Sequence, residues 1–490
     1  MSVRLNSIIA SAQAARDAGQ WRQAIGLYGT AVGLDPVSAS LRHNLALCHF
    51  AAGGLDDALK YARDAVRIQP DLWQSMMIES KVHRTRGAVT DAESALMRLL
   101  RVYPENAAAL VALADLEINE FGDPASAVAR VRPLLSRPET TVDAQLTTLM
   151  ADLYLGSDSA EALSRRLITF SRQHLRMPIQ RSAVRSSPQR PRVALISPLF
   201  SLSPVYFMTF NAFEALAARC DLICFNRGTR QDVGTRAFAD IAAEWHDVPH
   251  HDPASLANAI RDAEVDVLFD LGGWTDAVAL TALSSRPAAR MYTWVGGQSA
   301  TTGLEMFDGW IGDAWQSPAA VAHLYAEPIV NIAGGYCDYR MPAELKAINV
   351  PRRREAVGLV GNPCKVGDRL VASWPTDIAS VTLIDRRYVH QRTRDRVVAL
   401  LERAGVRIDE IIVPQGHAEY LRALAGMKAV INTAPYSGGL TTIEAMALGV
   451  EIITPSGAGK LFCERHHLSH RVTAGRNPAL AGAIMDLVMN

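Results

Sequence analysis

A period of 34 residues constrains the first third of this 490-residue chain more than any other feature. "GQWRQAIGLYGTAVGLDP", "GGLDDALKYARDAVRIQP" and "GAVTDAESALMRLLRVYP" align without gaps, so that Gly19, Gly53 and Gly87, and Ala24, Ala58 and Ala92, recur 34 apart. Pro36, Pro70, Pro104 and Pro138 carry the period into a fourth copy, "FGDPASAVARVRPLLSRP", which is one residue out of step in its middle. Each element of the pattern has a physical reason. The glycine turns one helix into the next, the alanine lets the two pack closely, and the proline ends the pair. A unit of this kind cannot bury its apolar face alone, so the copies stack.

A period of this length with glycine, alanine and terminal proline resembles the tetratricopeptide repeat. Stacked helix pairs build a concave groove, which suits recognition of a protein or peptide segment and leaves self-association open. Residues 139–180 keep a helical pattern and are expected to cap the array, giving a repeat domain over 1–180. The stretch 181–192, rich in arginine, serine and proline, reads as a linker.

The period changes after Arg192. Short apolar runs, "VALISPLF", "CDLICFN", "VDVLFDLGG", "RMYTWVGG" and "GWIGD", end in Gly, Ser, Asp or Asn and alternate with helical patterns. The alternation restarts after "NVPRRREA" with "VGLVGN", "SVTLIDR", "EIIVPQG", "KAVINTAP" and "VEIITPSG". This predicts two doubly wound α/β domains, 193–350 and 351–490, each with a parallel sheet covered on both faces. Ligands of such sheets bind beyond the carboxyl ends of the strands, where every one of these glycine turns falls.

Bulk composition narrows the function classes. Apolar residues make up 49% and charged residues 20%, and the formal net charge is zero, so nothing global points to nucleic acid or an anionic membrane. Six scattered cysteines include no CxxC pair, no apolar run approaches a membrane span, and the first residues lack a signal-peptide core. A cytoplasmic protein is the expectation. His417 has no second ligand at a metal-type spacing, so no metal is expected.

Several strand ends carry chemistry. Lys365 in "GNPCKV" follows a strand and precedes a helix, where an ammonium can face phosphate oxygens or simply begin a surface helix. Gln415, His417 and Tyr420 reach another strand end, as groups that stack on and hydrogen-bond a base or as a polar turn over a core tyrosine. In "SGGLTTIE", Ser437, Gly438 and Gly439 precede Leu440, Thr441, Thr442 and Glu444. A helix N-terminus with glycines for close approach and threonine hydroxyls as donors makes a diphosphate cradle. It matches neither a Walker loop nor a GxGxxG fingerprint. Glu444 could accept from ribose hydroxyls or complement the helix dipole.

Taken together these segments resemble the O-linked N-acetylglucosamine transferases and their relatives, the SPINDLY protein O-fucosyltransferases and bacterial homologues. "LFDLGGWTDAVALTALSSRPAARMYTWVGGQSATTGLEMFDGWIGDAWQSP", "GNPCKV", "PYSGGLTTIEAMALGVEIITPSG" and "RHHLSH" carry the resemblance, which covers roughly residues 10–475. It implies a tetratricopeptide α-solenoid followed by a GT-B fold of two Rossmann-like domains. It also implies inverting, metal-independent transfer of a sugar from a nucleotide-sugar donor, a UDP-sugar by family habit, to protein Ser/Thr hydroxyls. Lys365 would hold the donor phosphates beside Asn362, where the family usually has glutamine. Gly438, Gly439, Leu440, Thr441 and Thr442 would surround the diphosphate, Glu444 the ribose, and Gln415, His417 and Tyr420 the base. Ser203, Pro204, Gly272, Gly273, Trp274, Thr275, Gly297 and Gln298 would line the sugar and acceptor pocket. The acceptor would be a protein held in the repeat groove, with flagellin, a pilin or an adhesin as examples in a bacterial setting.

The departures from the family pattern are specific. "SPVYFM" places Ser203 and Phe207 where a histidine-proline-x-x-histidine element is expected, leaving Tyr206 and Asp313 as substitutes for a histidine base. Leu440 replaces a threonine, and Gly439 stands where histidine is common. Other readings follow from these changes. The donor could be GDP-fucose or a CMP-nonulosonate, the acceptor a non-protein glycan, or the chain a catalytically weakened interaction protein.

Overall fold

Gly19, Gly53 and Gly87 adopt φ of 69, 79 and 73°, the left-handed conformation that lets the chain reverse between paired helices. A computed structural model describes residues 2–179, 190–296, 300–342, 345, 348, 356–455 and 477–489. The helix pairs are Ser2–Asp17 with Trp21–Leu34, Ala39–Ala51 with Leu55–Ile68, Trp73–Thr85 with Val89–Val102, and Ala107–Asn119 with Pro124–Val131. Ala24, Ala58, Ala92 and Ala127 are fully buried, as close packing within each pair requires. Asn106 and Ser38 cap their helices by accepting from Ala109 and Leu41 amides.

The chain divides into two compact units: residues 1–120 with 125–148, and residues 149–490 with 121–124. The second unit therefore takes in the helix Ala160–His174, expected as part of a repeat cap. Its buried hydroxyls explain why: Ser164 Oγ donates to the Leu324 carbonyl and Ser171 Oγ to the Thr302 carbonyl, 2.6 Å away in the second case.

Two parallel sheets organise the second unit. The strands are β1 (Arg192–Ser197), β2 (Asp221–Asn226), β3 (Glu244–Asp247), β4 (Val267–Asp270), β5 (Arg290–Trp294), β6 (Gly309–Gly312), β7 (Ile329–Asn331), β8 (Val357–Val360), β9 (Ser380–Ile384), β10 (Arg407–Ile412), β11 (Ala429–Ile431) and β12 (Glu451–Ile453). Among the described residues the first sheet has the order β3-β2-β1-β4-β5-β6-β7, and the second β10-β9-β8-β11-β12. Both reverse direction of winding next to their first strand, between β1 and β4 and between β8 and β11. These are the topological switch points at which open α/β sheets bind ligands. β1, β4 and β8 are buried almost end to end, as expected of strands covered on both faces. The helix Leu480–Met489 packs on the helix Pro204–Ala217 of the first sheet's domain, and Arg290 donates to the Leu487 and Val488 carbonyls at 2.9 and 2.7 Å. No helix among the described residues is long and apolar enough to cross a membrane.

Candidate functional site

The switch point of the second sheet brings together the two motifs singled out from sequence. After β8 the chain forms a short 3-10 turn, Pro363–Lys365, whose entry is fixed by Asn362 Oδ1 accepting from the Cys364 amide at 3.1 Å. After β11 comes the glycine loop, and Lys365 Nζ donates to the Ser437 carbonyl at 3.0 Å while lying 4.4 Å from the centre of the Tyr436 ring. Gly438 donates its amide to Asn432 Oδ1 at 2.8 Å. A Cβ at Gly438 would stand 2.4 Å from the Thr442 hydroxyl and 2.7 Å from that of Thr441, whereas one at Gly439 would meet nothing within 4 Å. Glycine is therefore required at 438 because two hydroxyls crowd it. The helix Leu440–Ala447 starts there, and Asn432, Thr433, Gly438, Thr441 and Thr442 line one small pocket floored by Val360, Val430 and Ile431. Hydroxyls, a helix N-terminus and an ammonium beside one pocket can hold an anion.

A second cluster forms around Glu444, which is 1% exposed. Its Oε1 pairs with His417 Nε2 at 2.7 Å. Burial pushes the Glu444 carboxyl above its usual range, and the bond to His417 opposes that rise. His417 stacks on Tyr420, centroids 6.0 Å apart, and meets the Phe207 ring at 5.2 Å with 38° between planes. Burial, then the Glu444 charge, raises the Tyr420 phenol. Phe207, standing where a histidine was expected, thus packs on the histidine of the other α/β domain. Leu440 packs with the same apolar cluster as Phe207. Gln415 is exposed, with its amide turned back on its own segment toward the Val413 carbonyl at 3.4 Å.

On the first sheet, Asp270 ends β4 beneath the paired glycines. Its carboxylate accepts from Gly272 at 3.0 Å, from Gly273 at 3.1 Å and from Thr293 Oγ1 at 3.2 Å. Burial pushes this carboxyl up to about 6 against the pull of those donors. Gly273 has φ 48°, and a Cβ on Gly296 would sit 2.1 Å from the Leu271 carbonyl oxygen, so the two glycine turns touch backbone to backbone. Trp274 Nε1 donates to the Thr301 carbonyl at 2.9 Å and Thr275 Oγ1 to that of Gly272 at 2.5 Å. A buried ion pair, Arg227 with Asp276 at 2.7 Å, closes the turn from the β2 side. Ser203 precedes Pro204 at the start of the next helix and donates to the Leu199 carbonyl at 2.8 Å. Tyr206 packs against Phe207, Phe210 and Phe238, with the Arg340 guanidinium 5.9 Å from its ring. Asp313 is fully buried and accepts from the Trp315, Gln316 and Tyr336 amides at 3.0, 2.7 and 3.2 Å. Gly297, Gln298 and the "RHHLSH" segment lie outside the described residues.

The structure adds residues that the motifs did not single out. Asn432 anchors the glycine loop, Asp270 the first sheet's turn, and Tyr436 lies under Lys365. Asn432 and Asp270 each had a local signal, as a polar residue at the end of an apolar strand.

Repeat helices followed by two facing Rossmann-like sheets define a tetratricopeptide protein with a GT-B region. The comparisons with known proteins carry the same likeness. A family model described as tetratricopeptide repeat matches residues 9–72 and 79–137. A tomato (Solanum lycopersicum) protein named "Probable UDP-N-acetylglucosamine--peptide N-acetylglucosaminyltransferase SPINDLY" is 24% identical over 290 residues, 55% of this chain and 31% of that protein. The Arabidopsis thaliana protein of the same name is 24% identical over 290 residues, and its SEC counterpart 23% over 293, covering 32% and 29% of those proteins. The chain thus spans about a third of the length of the curated relatives it matches. Among solved structures, a mutant of the Thermobaculum terrenum O-GlcNAc transferase superposes with TM-score 0.59 at 19% identity, covering 99% of this chain and 92% of that one. The resemblance to the O-GlcNAc transferase-like family is borne out in repeats, in sequence and in fold.

Proposed function

We propose that the protein is a glycosyltransferase that moves a sugar from a nucleotide-sugar donor to a Ser/Thr hydroxyl of a protein held by its repeats. The observation that carries this reading is the meeting of the Lys365 turn and the Gly438 loop at the β8/β11 switch point, with Lys365 Nζ 3.0 Å from the Ser437 carbonyl. In transfer the acceptor oxygen attacks the anomeric carbon, the bond to the nucleoside diphosphate breaks, the leaving oxygen takes the electron pair, and the acceptor hydroxyl's proton passes to water or to the departing diphosphate. Lys365, the threonine hydroxyls and the helix N-terminus stabilise that leaving charge, so that no metal is needed, and attack opposite the leaving group inverts the anomeric centre. A UDP-sugar is the first donor to test, given the relatives' names, with GDP-fucose and CMP-nonulosonates as the alternatives. His417 and Tyr420 take the base, and Glu444 orients His417. Ser203, at one vacant histidine position, has its hydroxyl bonded to the Leu199 carbonyl at 2.8 Å, so Tyr206, next in sequence to the other at Phe207, is the substitute base to test. Asp313, held in a buried turn by three amide donors, is the second substitute for the histidine base.

Phe207 at a histidine position favours a second reading, a repeat protein that binds the donor and has lost turnover. Calorimetry against UDP-, GDP- and CMP-sugars, followed by a transfer and hydrolysis assay, separates the two. Binding with turnover that Lys365→Ala abolishes supports the transferase. Binding without turnover supports the second reading, and failure of every nucleotide to bind overturns both.

A further inference from the structure

The two donor loops are braced by chain from outside either sheet. The helix Thr141–Leu155 carries Tyr154 onto the Tyr436 ring, stacked at 5.1 Å with 25° between planes. The Tyr154 hydroxyl interacts with the Cys364 thiol, next in sequence to Lys365. One side chain thus touches both loops: the lysine turn through Cys364 and the glycine loop through Tyr436, over which Lys365 Nζ itself lies at 4.4 Å. The backbone nearby is equally close. A Cβ on Gly156 would stand 2.8 Å from Pro435 Cγ, and one on Gly122 2.8 Å from the Cys364 amide nitrogen. Both glycines have left-handed φ, 60 and 64°, so neither position accepts a side chain without strain.

We infer that Tyr154 is a positioning residue for the donor diphosphate, setting the Lys365 ammonium over the glycine loop through Tyr436 and Cys364. The inference rests on the site reading given above. An aromatic pair of this geometry is worth enough to hold one arrangement of two short loops over another. It predicts an effect confined to the phosphate end of the ligand, where Lys365 acts, and absent from the base end around His417.

The test measures affinity of the full chain for UDP and UMP, and for GDP and GMP, by calorimetry. Tyr154→Leu is expected to weaken the diphosphate about tenfold and the monophosphate less than threefold, and Tyr154→Phe, which keeps the ring, to return the diphosphate to within threefold of the parent. In a Lys365→Ala background the leucine change is expected to cost less than twofold. Unchanged affinities, an equal loss for diphosphate and monophosphate, or a full tenfold loss without Lys365 would each overturn the inference. If the leucine variant does not fold, Tyr154→His is measured under the same criteria. A parent that binds none of the four nucleotides refutes the underlying site reading instead.

Discussion

Gly438 shows how one residue ties sequence to chemistry. Its amide is spent on Asn432, and the space a Cβ would need is taken by two threonine hydroxyls. Gly438→Ala is expected to push those hydroxyls apart, to weaken nucleoside diphosphate binding by about tenfold and to lower Tm by roughly 2–5 °C, as read by calorimetry beside a thermal melt. Gly439→Ala, with nothing within 4 Å, serves as the matched control. At this scale the site was partly legible. Lys365 and the glycine loop lie in short motifs whose neighbours dictate their conformation. The pairing of His417 with Glu444, 27 residues apart, was not, because each has a complete local explanation as a base contact and as a dipole complement. Phe207 was legible as a missing histidine, but its packing on His417 belongs to a contact between helices of the two α/β domains.

Elements were easier to read than their partners. The repeat helices are local structures, so period alone predicts them, and the turn glycines of the first three copies, Gly19, Gly53 and Gly87, carry no packing burden. A Cβ at Gly53 meets nothing within 4 Å, leaving only the cost of φ 79°. Gly53→Ala is therefore expected to destabilise the repeats by about 1 kcal/mol, measured by circular dichroism melts. The turn after β4 behaves differently because it stands on a buried carboxylate. Asp270 has its folded-state pKa raised to about 6, above the ordinary value near 4. The stability it contributes is therefore complete below about pH 4 and is lost as pH rises through about 6. Asp270→Asn, which keeps an acceptor for the glycine amides, should gain on the parent as pH goes from 5 to 7.5. We expect the difference in Tm to grow by roughly 2–5 °C, and a difference independent of pH would show that Asp270 does not titrate there. Alternation of strands and helices announced both sheets, while Asp270 was announced only as the polar end of an apolar run and not as the anchor of a turn.

In the second unit as a whole, ties between the two sheets come from chain far from either switch point. The last described helix belongs in sequence to the second sheet's domain, yet it lies on the first, held by Arg290 from the start of β5. Arg290→Ala leaves two carbonyls near the helix end without a charged donor. It is expected to lower Tm by about 3 °C in a thermal-shift assay. Such ties are invisible in composition, since they join residues 197 and 198 positions apart. The stack of Tyr154 on Tyr436 is another, and it bears on how this protein can be taken apart. A shortened chain starting at residue 193 would retain both sheets and every donor motif, and it would be the natural choice from the change in period. It would also leave Tyr436 without the ring it leans on and Pro363 and Pro435 without the glycines packed against them. The folded unit begins earlier, at Leu149 with Phe121–Pro124 added, and that second piece returns from among the repeats. The repeat unit and the unit that holds both sheets are interleaved along the chain, so exchanging the repeats for those of a relative calls for two splice points rather than one.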